Sequence, residues 1–174
     1  MNFLTRLVLP MLLGATAAGA AAADTVKATA DRLEFEYKAE VAMPKAALWA
    51  RVLKPSGWWS DEHTYSGKAA NMKLTAKAGG CWCEVWPGGE VEHGRVVYLS
   101  PGSALRIESA LGPLQEMAVS GMLAVTLEPG ADNGHTKLTM TYKVSGASTL
   151  KLDVLSSIVD RVIGEQFATL SKAP

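Results

Sequence analysis

Hydrophobic and polar residues alternate without a break between residues 33 and 43. Apolar side chains occupy every second position, and charged side chains fill most of the positions between them. Because successive side chains of a strand point to opposite faces, this pattern predicts a strand with one buried and one wet face. The apolar set is Leu33, Phe35, Tyr37, Ala39, Val41 and Met43.

A helical period follows this strand. Pro44 suits the first turn of a helix, apolar residues recur at helical spacing as far as Leu53, and Pro55 ends the pattern. The next stretch, "WWSDEH", predicts a short helical turn or a loop. We therefore expect two short helices after the first strand.

From residue 72 onward, turns rich in Gly and Pro divide the chain at short intervals. The segments between them predict six successive antiparallel strands. Alternation is clearest in the last two, from Val119 to Leu127 and from Leu138 to Val144. The six segments are "NMKLTA", "CWCEVW", "EVEHGRVVYL", "ALRIES", "MAVSGMLAVTLE" and "HTKLTMTYKV".

The final segment, "STLKLDVLSSIVDRVIGEQFATLSK", returns to a helical period and predicts one long helix. Ser148 or Thr149 would provide its N-cap. Its apolar stripe consists of Leu152, Leu155, Val159, Val162 and Leu170.

These elements predict an α+β fold, with a seven-stranded curved antiparallel sheet wrapped around the C-terminal helix. Seven apolar strand faces must be covered, and one long helix is the main element available to cover them. A helix is about 10 Å wide, whereas seven strands spaced ~4.8 Å apart span about three times that width. The sheet must therefore curl, and the space left beside the helix is a place where small molecules bind.

The first 23 residues have the pattern of a secretory signal peptide. An apolar run from Leu7 to Leu13 follows one basic residue, and small residues then lead to an A-x-A-like site ending at Ala23. The run is shorter than the ~20 residues that span a bilayer. We predict cleavage before Asp24, so that residues 1–23 are removed and 24–174 form one periplasmic or secreted domain without a membrane anchor.

Charge and motifs narrow the function classes. The chain carries 17 basic and 17 acidic residues with no basic cluster, which argues against a nucleic-acid partner. Its sequence contains no nucleophile elbow, phosphate loop, dinucleotide fingerprint or H-E-x-x-H motif, so common hydrolases and nucleotide enzymes are disfavoured. We expect a monomer or dimer that uses no cofactor.

The order of strand, helix, short helix, six strands and long helix resembles the helix-grip fold of the START and birch-pollen-allergen superfamily, also called SRPBCC. The nearest branch is that of homologues of the heat-shock-protein-90 ATPase activator and of polyketide cyclase/dehydrase-like proteins. Residues 35–59, 74–89, 94–107 and the last helix carry the resemblance. It implies a fold and leaves the ligand open, because the superfamily holds lipid binders, cyclases, hydrolases and chaperone cofactors. A secreted protein meets neither cytosolic chaperones nor ATP, so the activator role is not carried over.

Residues 57–67, "GWWSDEHTYSG", are here called the rim segment. In the fold that the sequence resembles, this stretch closes one end of the cavity. Trp58 or Trp59 would then turn inward, with His63 and Tyr65 near the opening. The alternative is that both tryptophans simply belong to the core.

The hairpin "CWCEVWPGGEVEHG" has two possible registers. If its two adjacent glycines form the turn, Glu84 lies opposite His93 and shares a face with Trp82 and Trp86. A three-residue loop would instead place Cys83 opposite His93. We prefer the first register, because Gly-Gly is the stronger turn signal.

Glu84 and His93 are the candidate catalytic residues. A carboxylate between tryptophans in a half-dry cavity has its charged form disfavoured, and a neighbouring imidazole can exchange a proton with it. The alternatives are a structural hydrogen-bonded pair or side chains that point outward.

Cys81 and Cys83 are the only cysteines. Residues i and i+2 of a regular strand lie roughly 6.5 to 7 Å apart, which argues against a disulfide even in an oxidising compartment. The three-residue-loop register would let both thiols and His93 approach a metal, but a fourth ligand is missing, so we predict no metal site.

The leading prediction is a binding protein for a small hydrophobic molecule such as a lipid, a polyketide or an aromatic compound. Alternatives are a cyclase, dehydratase or hydrolase that uses Glu84 and His93, and an envelope protein that docks a partner through exposed tryptophans.

Residues 109–117, here called the Pro113 loop, either flank the cavity mouth or form a tight turn, and Asp160 is expected at the surface. The predicted ligand-binding residues are Trp58, Trp59, His63, Tyr65, Trp82, Trp86, Arg95, Tyr142, Val159, Val162 and Gln166.

Overall fold

One open antiparallel sheet dominates the computed structural model, which describes residues 21–173. Within that range the sheet has eight strands, in the order β1-β2-β8-β7-β6-β5-β4-β3. In chain order they are β1 (Thr25–Thr29), β2 (Arg32–Val41), β3 (Met72–Leu74), β4 (Cys81–Trp86), β5 (Gly89–Ser100), β6 (Ala104–Glu108), β7 (Ser120–Pro129) and β8 (Thr136–Ser145).

Two α-helices accompany the sheet, α1 (Lys45–Val52) and α2 (Ser156–Ser171), so the fold class is α+β as predicted. Neither helix is long and apolar enough to cross a membrane, nor is any other helix between residues 21 and 173. Short 3₁₀ turns lie at Pro55–Gly57, Asp61–His63, Ala69–Asn71, Gly112–Gln115, Ser148–Leu150 and Leu152–Leu155.

The alternation in the sequence identified the buried strand faces correctly. In β2, Leu33, Phe35 and Tyr37 are almost fully buried, and Ala39 packs against the core. The predicted inward residues of β7 and β8 are buried as well. Pairing of β2 with β8 joins the first predicted strand to the last.

The predicted number of seven strands is wrong, because β1 was missed. This strand pairs with β2 from Thr25 opposite Glu36 to Thr29 opposite Arg32. It is five residues long and lies at the edge of the sheet, where Val26 remains 46% exposed. An edge strand of this length needs little apolar patterning, so its sequence carries a weak signal.

The predicted long C-terminal helix is present as α2, but its predicted beginning near residue 148 is wrong. Lys151 adopts a left-handed conformation with φ of 50° and separates two 3₁₀ turns that precede α2. This bend lets the backbone N–H of Leu152 donate to Ala30 O at 2.9 Å while its side chain is fully buried. Neither Ser148 nor Thr149 caps α2, which begins after Leu155.

The apolar face of the sheet packs against both helices. Helix α2 lies on β2 and β8, where the rings of Phe167 and Tyr37 stack with centroids 5.4 Å apart. Helix α1 lies on β7. Beside Trp58 and Trp82, core side chains enclose a void of only about 10 Å³.

The β4–β5 hairpin differs from both predicted registers. Its two-residue turn consists of Pro87 and Gly88, so that Trp86 pairs with Gly89. Gly88 has a φ of 96°, which favours glycine. Gly89 is needed for a different reason: a Cβ there would lie 2.6 Å from the indole of Trp86. The second glycine therefore makes room for a side chain instead of forming the turn.

Cys81 and Cys83 form a disulfide, contrary to the prediction, beside a β-bulge in this hairpin. Cys83 pairs with Glu92, but Trp82 pairs with Gly94, which leaves His93 as the extra residue on β5. Strand β4 is itself shortened between Cys81 and Cys83. Their Cα atoms lie 5.4 Å apart, within disulfide range, and the two residues are bonded.

Candidate ligand cleft

An open cleft of about 620 Å³ lies between α2, the rim segment and the Pro113 loop. Its volume falls within the roughly 300 to 1,000 Å³ typical of small-molecule sites. Most of its surface is apolar. The lining residues are Trp59, Glu62, His63, Thr64, Tyr65, Leu111, Gly112, Pro113, Leu114, Glu116, Met117, Tyr142, Leu155, Ile158, Val159, Val162 and Ile163.

Helix α2 supplies the aliphatic wall of the cleft. Val159, Val162 and Ile163 follow one another around the side of the helix that meets the cleft. Ile158 also lines the cleft and is 51% exposed, an unusual position for a large aliphatic side chain. The helix thus presents apolar surface beyond the part that the sheet covers.

Hydrogen bonds from α2 hold the rim segment in place. The backbone N–H of Ser60 donates to Gln166 Oε1 at 2.7 Å, and Gln166 Nε2 donates to Val162 O at 3.1 Å. At the cleft edge, His63 Nε2 lies 2.7 Å from Glu165 Oε2. Trp59 Nε1 donates to His63 O at 2.8 Å, which fixes the indole against the cleft.

Tyr142 joins the sheet to the Pro113 loop. Its hydroxyl accepts a hydrogen bond from the backbone N–H of Leu111 at 3.0 Å and donates to Ser109 O at 3.2 Å. Burial raises the pKa of Tyr142 to about 12, against a smaller opposing effect of the Leu111 N–H, so the hydroxyl stays protonated. The ring lines the cleft while the polar end of the side chain is already satisfied.

Glu84 and His93 form a buried pair behind the rim segment. His93 Nε2 lies 2.8 Å from Glu84 Oε2, so the predicted contact exists although the predicted register was wrong. Glu84 Oε2 also accepts from the backbone N–H of Tyr65 at 3.1 Å, and Oε1 accepts from that of Ser66 at 2.5 Å. Both carboxylate oxygens are therefore occupied.

The pKa values of this pair favour an ionised carboxylate beside a neutral imidazole. Burial alone would raise the pKa of Glu84, but hydrogen bonds from Ser66, His93 and Tyr65 together hold it below its usual value. Burial lowers the pKa of His93, and the attraction of Glu84 offsets this only in part. Neither residue lines the cleft. This arrangement matches the structural alternative better than a proton carrier.

Three indoles connect the cleft to the packed core. The Trp59 ring lies 5.6 Å from that of Trp58 and 4.8 Å from that of Trp82. On the other side, the Trp82 ring lies 5.4 Å from His93. Trp58 and Trp59 are 4% and 7% exposed, so partner docking through these side chains is not favoured.

Six predicted ligand-binding residues line the cleft, and five do not. Trp58 and Trp82 are core residues, and Trp86 packs against Gly89 of the hairpin. Gln166 is buried, and its side-chain amide bonds to the backbone of Ser60 and Val162. Arg95 points outward, because its strand face turns to solvent and its guanidinium bonds to Glu92 and Gly79 O. The six that line the cleft are Trp59, His63, Tyr65, Tyr142, Val159 and Val162.

Sequence reasoning missed several contributors to the site. The Pro113 loop was not among them: it lines the cleft with Leu111 and Leu114, which is the first of the two options left open for it, and the Gly112–Pro113 pair was its signal. Glu165 was missed, although its position beside the apolar stripe of α2 could have suggested a partner for His63. The backbone donors of Tyr65 and Ser66 have no sequence signal at all.

The ionisable side chains at the cleft are mainly acidic. Glu62 and Glu116 line it, and Glu165 lies behind His63. None of the lining residues is a lysine or an arginine. The cleft therefore combines apolar and aromatic walls with a negatively charged edge.

The cysteine pair lies apart from the cleft. The two sulfur atoms and a Glu92 carboxylate oxygen lie within 4.8 Å of one another. Because Cys81 and Cys83 are bonded to each other, they offer no thiolate to a metal. This cluster does not extend the site.

No protein-family model matches the chain, and no curated protein matches it. Solved structures do. A conserved protein of unknown function from Enterococcus faecalis gives a TM-score of 0.57 at 10% identity, covering 84% of this chain and 74% of its own. For a protein from Arthrobacter aurescens, the TM-score is 0.57 at 15% identity, with 86% and 90% covered. A protein from Rhodobacter sphaeroides gives 0.54 at 20% identity, with 84% and 94% covered. These similarities extend to the fold alone.

Proposed function

We propose that this protein binds a small apolar molecule in the cleft between α2, the rim segment and the Pro113 loop. The observation that carries the proposal is the open volume of about 620 Å³ with aromatic and aliphatic walls. A ligand that buries ~300 Å² of apolar surface would gain roughly 7 kcal/mol before the costs of binding. Micromolar affinity corresponds to about 8 kcal/mol, so for a ligand of this size we expect a Kd weaker than micromolar, and walls that are already ordered keep the remaining costs small.

Preorganisation of the walls supports this function. The rim segment is fixed by Gln166, Glu165 and Glu84, and the Pro113 loop is fixed by Tyr142. Because these bonds are made within the protein itself, they hold the walls in place and limit the ordering entropy that binding must overcome.

We further propose that the sheet and α2 form the helix-grip arrangement of the START and SRPBCC superfamily. The eight-stranded sheet, the C-terminal helix on its apolar face and a cleft beside that helix support this assignment.

The ligand class follows from the charges. A fatty acid or another anionic lipid needs a cation, and the cleft lining offers acidic groups instead. The ligand is therefore a neutral or cationic apolar molecule, and an aromatic compound fits the indole and phenol rings best.

Secretion to the periplasm or the medium is part of the proposal. The signal-peptide pattern of the sequence supports it, as does the bond between Cys81 and Cys83, since disulfides persist mainly in oxidising compartments.

Binding of the neutral dye Nile red tests the site. We expect saturable fluorescence enhancement with the native protein and at least a tenfold weaker Kd with Val162→Phe, which fills the cleft. Val97→Phe is the matched control, because Val97 is 45% exposed on β5 and lies outside the cleft. Equal Kd values for the two variants would place the dye elsewhere and remove the cleft as the site.

A further inference from the structure

Residues Ala21–Ala23 pack against α2, although the sequence pattern would assign them to the removed signal peptide. The backbone N–H of Ala21 donates to Gly164 O at 3.3 Å, and that of Ala23 donates to Asp160 Oδ1 at 3.2 Å. Both alanine side chains contact the hydrophobic core. These residues therefore behave as part of the folded domain.

Gly164 permits this contact because it has no side chain. A Cβ at this position would lie 1.9 Å from Ala21 O, far closer than a Cβ approaches any non-bonded atom. Glycine inside a helix costs about 1 kcal/mol relative to alanine, and Gly164 lies inside the 16 residues of α2. The approach of the Ala21 backbone is the feature of the structure that requires a residue without a side chain here.

Asp160 makes the second contact specific. Its Oδ1 accepts hydrogen bonds from the buried Tyr37 hydroxyl at 2.7 Å and from Ala23 N. Burial first, and then the neighbouring Asp160 carboxylate, raise the pKa of Tyr37, so the hydroxyl remains a donor. Asp160, expected at the surface, is thus a polar anchor between β2, α2 and the N-terminal segment.

The same segment continues directly into β1. Asp24 N donates to Glu36 O at 2.8 Å, and Asp24 Oδ2 accepts from Lys38 N at 2.6 Å. Removal of Ala21–Ala23 would leave a notch over Gly164 and take one donor away from Asp160.

We propose that signal-peptide cleavage occurs after Ala20, so that the mature protein begins at Ala21 and not at Asp24. Residues 18–20, Ala-Gly-Ala, satisfy the same A-x-A rule as residues 21–23. A signal peptidase hydrolyses the peptide bond with one water, leaving a carboxylate on Ala20 and an ammonium on Ala21. An N–H of this ammonium can still donate a hydrogen bond to Gly164 O. This inference rests on the proposed secretion and is independent of ligand binding.

The test is the N-terminal sequence and intact mass of the full chain, exported with its own leader and purified through a C-terminal tag. We expect a protein that begins at Ala21. A start at Asp24, lighter by three alanine residues, overturns the inference while secretion stands. An uncleaved chain overturns both, and neither outcome affects the Nile red result.

The processed Gly164→Ala variant gives an independent answer through the sign of its effect. If Ala21 occupies the notch, the new Cβ collides with Ala21 O and the urea midpoint falls. If the notch is vacant, alanine is the better helix former and the midpoint rises or stays the same, which contradicts the inference. Gly57→Ala is the control for added bulk, because a Cβ at Gly57 meets nothing within 4 Å.

Discussion

At the scale of single residues, Glu84 shows how a polar group in the core positions a binding surface. Its carboxylate lies on the sheet, and the N–H groups that it accepts belong to Tyr65 and Ser66 of the rim segment. Because the cleft is lined by Tyr65 and its neighbours, Glu84 acts on the ligand site from behind it. We regard it as a positioning residue.

Glu84→Gln should destabilise the protein. The amide nitrogen of glutamine cannot accept a hydrogen bond, so a backbone N–H of Tyr65 or Ser66 would lose its acceptor at a cost of about 2 kcal/mol. Urea denaturation measures this, with the exposed Glu62→Gln as the control. An unchanged free energy of unfolding would contradict the positioning role, and a fall of about 10² in turnover on a substrate would establish the proton-carrier alternative.

His93 should make stability depend on pH. Its pKa is lower in the folded protein than its ordinary value near 6.5, so the unfolded chain binds the proton more readily. The free energy of unfolding should therefore fall as the pH drops below about 6.5, by up to ~1.4 kcal/mol per pH unit.

Urea midpoints at pH 7.5 and 5.5 test this dependence. His93→Gln should lose less stability on acidification than the native protein does. His135 is the opposite case, because the hydrogen bond to Asp132 raises its pKa. His135→Gln should therefore lose more stability than the native protein, and equal losses in all three proteins would contradict the assignment.

At the scale of elements, the alternating strands could be predicted and the irregular positions could not. Residues 33–43 showed their buried face directly, since a buried face demands period two. The bulge at His93 and the left-handed Lys151 depend on contacts with distant residues, so no local pattern indicates them. The Glu84–His93 contact was predicted from the wrong register. It exists because Glu84 pairs with Val91, two residues from His93, so Glu84 and His93 still share one face of the sheet.

The disulfide gives a prediction at this scale. The intact mass should be about 2 Da below that of the reduced chain, and no free thiol should react under denaturing conditions. A bridge that closes such a short loop constrains the unfolded chain weakly, so Cys83→Ser should cost only about 1.5 kcal/mol.

Cys81→Ser and the double variant are the controls for this prediction. If the two residues act only through their bond, each single variant and the double variant should lose the same stability. Additive losses would show that the side chains contribute separately.

At the scale of the whole molecule, the cleft exists because α2 is too narrow for the sheet. The helix covers β2 and β8, α1 covers β7, and the rim segment and the Pro113 loop both line the cleft beside α2. The mismatch of widths was predictable from counting elements. The position of the cleft was not predictable from the sequence. It depends on which side chains pack together, and Trp58 and Trp82 enclose only a small void on their side of the interior.

The acidic edge of the cleft should select ligands by charge. Dodecylamine, protonated at neutral pH, should displace Nile red at least tenfold better than dodecanoate, which has the same chain length and the opposite charge. Replacing Glu62 and Glu116 by glutamine should narrow this difference, and Glu108→Gln on the exposed side of β6 is the control. Tighter binding of dodecanoate would contradict the ligand class.

Among residues 21–173, the outer strands of the open sheet are β1 and β3, five and three residues long. Each carries a lysine near its middle, Lys27 and Lys73. Short outer strands with a positive charge recruit further strands poorly, because an incoming chain would have to desolvate that charge for only a few ladder bonds. We therefore expect pairing between the outer strands of neighbouring copies to be weak.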